Sequence, residues 1–163
     1  MTIRVETLEG RRFQEALPRV AELRIQVFRD WPYLYDGTRG YESSYLERFA
    51  DAQGAIIVAA FDGDSIIGVA TGTPMTEHAD EFSAPFRKAG YKVGKLFYFG
   101  ESVLLSAYRG RGIGHQFFDH REAHARLARA RRFDRGIQRQ DVGLEGDLVN
   151  GLDDLGDLVA RLP

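Results

Sequence analysis

The run Tyr108-Arg109-Gly110-Arg111-Gly112-Ile113-Gly114-His115 joins the two residue types best suited to hold an anion against a backbone. A strand-like stretch precedes it and a long helical stretch follows. At such a junction the first N–H groups of the helix have no partner inside it and converge on one spot, where the helix dipole adds partial positive charge. Gly110, Gly112 and Gly114 withdraw the side chains that would hold off a bulky anion such as a diphosphate, and they permit unusual backbone angles. Arg109 and Arg111 can add charge-assisted hydrogen bonds. Just upstream, Glu101 is the one acid in the stretch 97–105. A carboxylate among Phe97, Phe99 and Val103 is poorly solvated and suited to taking a proton from an ammonium, directly or through water. The other reading of Glu101 is a sheet-edge side chain, solvated or paired with an arginine. Gly100 within this stretch suggests a bulge or close approach by a ligand.

Other glycine-loop chemistries fit less well. A nucleotide-binding P-loop ends in Gly-Lys-Ser/Thr, whereas His115 and Gln116 follow Gly114 here. A dinucleotide fingerprint counted from Gly110 would need its third glycine where His115 stands. What remains is Arg109, Gly112 and Gly114 in an Arg-x-x-Gly-x-Gly pattern. This resembles the acetyl-CoA loop of the GNAT superfamily of N-acetyltransferases. Tyr108, the strand before it and the helix after it are similar to that family as well, and the resemblance extends more loosely from Ile3 to about Arg126.

The resemblance implies acetyl-CoA as co-substrate, no metal, and transfer of the acetyl group to a small-molecule or peptide amine. It assigns Arg109, Gly110, Arg111, Gly112, Ile113, Gly114 and His115 to the diphosphate. The preceding strand would splay from its neighbour, so that the pantetheine arm bonds the backbone of Ser102, Val103 and Leu104. Their N–H groups would also polarise the thioester carbonyl. Glu101 would be the base. Trp31, Tyr33 and Tyr35 would border the acceptor, with core filling as the other reading of Trp31. Two rivals stay open: a non-catalytic acyl-CoA-binding or interaction protein, and an Arg-Gly module that touches RNA.

The elements that must position these residues follow from periodicity. Ile3 and Val5 alternate with polar neighbours as in a half-buried strand. Pro18 opens a helix over Arg19 to Phe28, with Val20, Leu23 and Val27 on one face. A loop carries Trp31, Tyr33 and Tyr35, and Tyr41 to Ala50 reads as a second helix. Ala55 to Phe61 and Ile66 to Thr71 form an antiparallel hairpin across Asp62-Gly63-Asp64-Ser65. Glu77 to Lys88 reads as a helix interrupted near Pro85 and ending at Gly90. Leu96 to Leu105 is the next strand, and Gly112 to Ala130 the strongest helix. The expected fold class is therefore mixed α/β (α+β). With the resemblance, it is a GNAT-like, mostly antiparallel central sheet with helices on both faces and its C-terminal strands missing. Residues 1–130 are expected to form a GNAT-like acetyl-CoA-binding domain, and 131–163 an atypical Arg-rich, then acidic Gly/Leu-rich tail, weakly helical or disordered.

Composition narrows the function classes. The chain has 163 residues, 44% apolar and 28% charged, as in an ordinary soluble domain. A net charge of −2 gives no basic field to attract nucleic acid. The absence of cysteine excludes disulfides, thiolate metal sites and a thiol nucleophile. Neither a secretory leader in Met1 to Gly10 nor a membrane span is expected, so the expectation is a cytoplasmic protein. His120 and His124 are four apart, but the order with Glu122 is not that of a zinc protease, and a solvated histidine face is expected. An uncovered sheet edge would favour pairing with a second copy.

Beyond the helix the text changes. Arginines crowd Arg126 to Arg139 and acids crowd Asp141 to Asp157, with Gly146-Asp147-Leu148-Val149 repeated as Gly156-Asp157-Leu158-Val159. Weak helices are expected there rather than a strand, each glycine costing about 1 kcal/mol relative to alanine. No tyrosine follows Tyr108, so the resemblance leaves its usual general acid without a candidate. Ser106 also stands where a proline is common. Either the tail is naturally divergent or the reading frame shifts near Arg126, and we favour the shift. It predicts that a downstream frame of the coding DNA restores a strand-forming, aromatic-rich segment. Its absence on sequencing leaves the divergent tail.

Overall fold

A computed structural model describes residues 3–30, 33–134 and 148–150. Strands β1 (Ile3–Leu8), β2 (Ile56–Asp62), β3 (Ser65–Pro74) and β4 (Phe97–Leu104) form an antiparallel sheet in that order. Helices α1 (Gly10–Phe28) and α2 (Arg39–Asp51) link β1 to β2, and α3 (Asp80–Lys88) lies between β3 and β4. Helix α4 (Ile113–Asp134) follows β4. The expected class, a mostly antiparallel sheet with helices on both faces, is what the chain adopts.

The two faces of the sheet divide the core. Residues alternate across a strand, so Ile57, Ala59, Val69 and Val103 bury against α1 and α2, while Ile56, Val58, Ala60 and Phe99 bury against α4. The hairpin turns through Gly63, whose φ of +60° suits a residue without a side chain, and pairs Asp62 with Ser65.

Helix α1 begins at Gly10, not at Pro18, which lies inside it. Phe13 and Ala16 extend the stripe of Val20 and Leu23 towards the N-terminus, and Phe13 stacks on Phe49 at 5.7 Å. That burial outweighs the one backbone hydrogen bond that a proline removes. Pro85 likewise sits within α3, which starts at Asp80 after a 3₁₀ turn at Met75–Glu77, and the segment ends as expected at Gly90 with φ +87°.

Two features shape the site. The β3–β4 register jumps between Ala70, opposite Ser102, and Gly72, opposite Phe99. One residue of β3, Thr71, thus faces both Gly100 and Glu101, the bulge that Gly100 suggested. At the far edge a three-residue strand, β5 (Leu148–Asn150), pairs in parallel with Phe97–Phe99. At these positions the chain forms a strand and not the expected weak helix, because it satisfies the N–H and C=O groups that β4 leaves on its outer side. The rest of the expected tail after Asp134 lies outside the described residues.

Candidate active site on the outer edge of β4

Beyond Phe99, β4 has no neighbour on its outer side among the described residues. The orientation of its backbone there follows from one bond. Leu105 donates its N–H to Ile67 O at 3.0 Å, so Leu105 faces β3, and by alternation so does Val103. Ser102 and Leu104 therefore turn their N–H and C=O groups outward. Arg109 confirms the direction, since its Nε donates to the Leu104 carbonyl at 3.3 Å. Val103 offers its buried side chain to the α1 face, and its N–H is turned away from the open edge.

After a 3₁₀ turn at Ser106–Tyr108 the chain enters the glycine loop. Tyr108 anchors it by donating its hydroxyl to Asp62 Oδ2 at 2.8 Å, a bond that raises the phenol above its ordinary range. Gly110 and Gly112 both have φ of +76°, a left-handed conformation that disfavours any side chain. Such left-handed turns bend successive N–H groups towards a common centre, as in anion-binding nests. Ile113, Gly114 and His115 then present the unpartnered N–H groups of the first turn of α4. At Gly110, Gly112 and Gly114 an added Cβ would meet nothing within 4 Å. Gly114, with ordinary helical angles, is thus required neither by backbone conformation nor by packing among the described residues. Arg111 folds back, donating to Ala107 O at 3.1 Å and lying over the Tyr108 ring.

Glu101 is not isolated among apolar side chains. It points to the α1–α2 face, where Arg24 Nη1 stands 2.8 Å from its Oε1 and Tyr45 donates to its Oε2 at 3.4 Å. The Arg24 contact is ionic but poorly aligned, so Oε1 is buried without a hydrogen bond. Arg24 also donates to Glu42 Oε2 at 2.6 Å, and Glu42, fully buried, accepts from the Tyr35 hydroxyl at 3.0 Å. Burial works against the charge of Arg24, but Glu101, Tyr45 and Glu42 outweigh it and its pKa is raised. The charge of Glu101, followed by burial, raises Tyr45 likewise, so its hydroxyl keeps its proton and remains a donor.

Two clefts flank this network. One, of about 290 Å³, lies between the end of α1 and the open edge and is lined by Val27, Phe28, Asp30, Tyr33, Ser102, Leu104 and Arg109. The other, of about 270 Å³, lies between α2 and the bulge. Tyr45, Phe49, Thr71, Thr73, His78, Tyr98 and Gly100 contribute to it. His78 Nε2 is 2.7 Å from Thr73 Oγ1, and burial lowers its pKa below the ordinary histidine value of 6.5.

Ser102, Leu104 and Arg109 therefore converge on one cleft with Tyr33, and the remaining loop residues continue from it. Tyr35 is committed to Glu42, and Trp31 lies outside the described residues. His120 and His124 do not form a solvated face. His120 Nδ1 is 2.9 Å from Thr7 Oγ1, and His124 Nε2 is 2.9 Å from Gly54 O, so both fasten α4 to the sheet layer. Sequence reasoning missed Arg24, Glu42, Tyr45 and Arg121. For the three charged ones a signal existed, since each stands on the apolar stripe of its helix.

An antiparallel sheet clad on both faces, whose fourth strand passes from a paired to an open edge and then into a glycine-rich helix start, is the framework of an acyltransferase. The chain belongs to the acetyltransferase (GNAT) family, whose profile matches residues 19–138. Comparison with curated protein sequences gives no match. Among solved structures it is similar to the aminoglycoside N-acetyltransferase AAC(6')-Iy in complex with the bisubstrate analogue CoA-S-monomethyl-acetylneamine, with a TM-score of 0.58 and 12% identity over 99% of this chain and 86% of that one. It is also similar to a ribosomal-protein-alanine N-acetyltransferase from Brucella melitensis biovar Abortus 2308, with a TM-score of 0.51 and 13% identity over 99% and 88% of the two chains. An N-acetyltransferase from Staphylococcus aureus Mu50 gives 0.55 and 12% over 78% and 68%. At these identities the likeness is one of fold.

The loop geometry separates two glycines that the sequence treats alike. Gly112→Ala must force a side chain into φ +76° and should destabilise the protein by roughly 1–2 kcal/mol. Gly114→Val meets open space and should leave the thermal midpoint within a few degrees of wild type. Paired calorimetric melts check this, and equal destabilisation by both variants would contradict the geometry.

Proposed function

We propose that this chain transfers the acetyl group of acetyl-CoA to an amine, gripping the diphosphate at Arg109 to His115. The observation that carries this reading is Gly114, a glycine with ordinary angles and open surroundings at the first turn of α4. Its lack of a side chain is explained by a bulky anion seated on the helix N-terminus. Acetyl-CoA supplies the activated acyl group as a thioester when it is bound. The outward backbone groups of Ser102 and Leu104 hold its pantetheine arm, and the oxyanion role expected of Val103 passes to these two neighbours.

Glu101 takes the proton of the acceptor amine, directly or through a water, from a position fixed by Arg24 and Tyr45. The amine enters by the cleft between α2 and the bulge, where the Tyr45 hydroxyl links the cavity to Glu101. Tyr33 lines the cleft beside Arg109 and contacts the acyl carrier rather than the acceptor. No helix among the described residues is long and apolar enough to cross a membrane, and the reading places the enzyme in the cytoplasm, where acetyl-CoA is available.

Acetyl-CoA at a hundredfold excess over its dissociation constant should stabilise the fold by about 2.7 kcal/mol, and ATP much less. Thermal melting with acetyl-CoA, CoA and ATP side by side tests this, with Gly114→Val losing the CoA-dependent shift. Equal shifts with ATP point to a general anion site, and no shift with any of them removes the reading's support.

Glu101→Gln keeps the shape of the side chain but cannot accept a proton. It should retain CoA affinity and lower kcat by roughly 10²–10⁴-fold where proton removal limits the rate. An equally active variant would sink the assignment of Glu101 while leaving the cofactor loop untouched.

A further inference from the structure

Arg121 is a charged side chain that the reading above does not use. It stands on α4 at the i+4 spacing of Ile113, Phe117 and Ala125, and it is fully buried. No carboxylate lies within ion-pair distance among the described residues. Its guanidinium instead donates to backbone. Nε reaches Phe117 O at 3.3 Å, and Nη1 reaches Thr71 O at 3.2 Å and Gly100 O at 3.5 Å, two carbonyls at the bulge. The rings of Phe99 and Phe118 lie against it, 4.6 and 4.9 Å from its central carbon. Burial lowers its pKa to about 10, against a smaller opposing effect of Glu101, which leaves it cationic at neutral pH. These bonds explain how the cation is tolerated.

The remaining nitrogen, Nη2, does something different. It donates to Ser102 Oγ at 3.0 Å, and Ser102 is exposed on the open edge of β4. A hydroxyl that accepts from a guanidinium still has its own proton to donate, and no described residue receives it. Glu101 and Ser102 are neighbours on one strand and therefore face opposite sides of the sheet, Glu101 towards Arg24 and Ser102 towards Arg121. One edge thus carries a proton acceptor on one face and a cation-backed donor on the other.

We propose that Ser102, polarised by Arg121, is the hydrogen-bond donor to the sulfur that departs in acetyl transfer, with Arg121 as its positioning residue. The proposal rests on the acetyl-CoA reading. In that reaction the amine nitrogen bonds to the acetyl carbon, the carbon–sulfur bond breaks, and sulfur leaves with the bonding pair. The amine proton goes to Glu101. Ser102 need not surrender its proton, because a hydrogen bond backed by a full positive charge holds the thiolate as it forms, and such bonds are roughly twice as strong as neutral ones. This supplies the leaving group with a partner in a chain that has no tyrosine after Tyr108.

The test titrates the thiol of CoA bound to the full chain, following thiolate absorbance in the ultraviolet against pH. No acceptor amine is needed. In the wild type the bound thiol should ionise about one pH unit or more below free CoA, the size expected of one hydrogen bond to a charged group. Ser102→Ala, at CoA concentrations that keep the site filled, should abolish most of that shift, and Ser102→Thr should retain it. Arg121→Gln should also abolish it, and a melt of that variant shows whether its buried site still folds. A purely structural Arg121 predicts an unchanged thiol in Ser102→Ala. Bound CoA whose thiol titrates like free CoA, or a shift that survives Ser102→Ala, overturns this proposal alone. Failure of CoA to bind the wild type overturns the acetyl-CoA reading and this proposal with it.

Discussion

The guanidinium of Arg24 lies between two carboxylates withdrawn from water, Glu42 on α2 and Glu101 on β4. Each carboxylate alone would be costly to bury, and a single cation shared between them leaves one net negative charge to be met by the hydroxyls of Tyr35 and Tyr45. Loss of one member of such a buried pair typically costs about 3–5 kcal/mol. The arrangement ties α1, α2 and β4 together at one point. The position of Glu101 is therefore set by two helices as well as by its own strand, which gives a single carboxylate a defined place beside both clefts.

On the other face of the sheet a second arginine solves a different problem. A bulge lets β4 part from the regular ladder beside the carbonyls of Thr71 and Gly100. Arg121 reaches in from α4 and satisfies both. The sheet is thus held by cations on either side of the residues where β4 changes from a paired strand to an open edge. Helix α4 begins at the glycine loop and carries Arg121 on its third turn, so one rigid element bears both the loop end and the side chain that meets the bulge.

Much of this architecture was legible in residue order. The hairpin across Gly63, the strand leading into the loop and the helix after it follow from alternation, turn chemistry and apolar spacing, and the fold class follows from their sequence. The misread boundaries have local causes. Pro18 and Pro85 signal helix ends in isolation, yet burial of Phe13 and Phe86 carries each helix through its proline. The short strand Leu148–Asn150 depends on an edge elsewhere in the chain, which no local pattern around those residues discloses. The glycine loop was readable because its chemistry is contiguous. The partners of Glu101 were not, because Arg24, Glu42 and Tyr45 come from helices far away in sequence. Arg24 lies four residues from Val20 and from Phe28, Glu42 four from Leu46, and Arg121 four from Phe117 and from Ala125. A charge at a stripe position marks a side chain that must be neutralised or hydrogen-bonded inside the protein.

The cleft between α2 and the bulge has a floor and a wall of unequal freedom. Its floor holds Gly72 and Gly100, where a Cβ would come 2.7 Å from Phe97 Cε1 and 2.5 Å from Thr71 Oγ1. Neither position can acquire a side chain without displacing a buried neighbour. The wall includes exposed or half-buried residues on other segments, Arg48 at the end of α2 and Glu77, His78 and Ala79 after β3. Substitutions there alter the shape and charge of the cavity without touching the strand that bears Glu101. Variation in the cavity's shape and charge is thereby channelled to a few surface positions, while the strand that bears Glu101 stays under the constraint of its own packing.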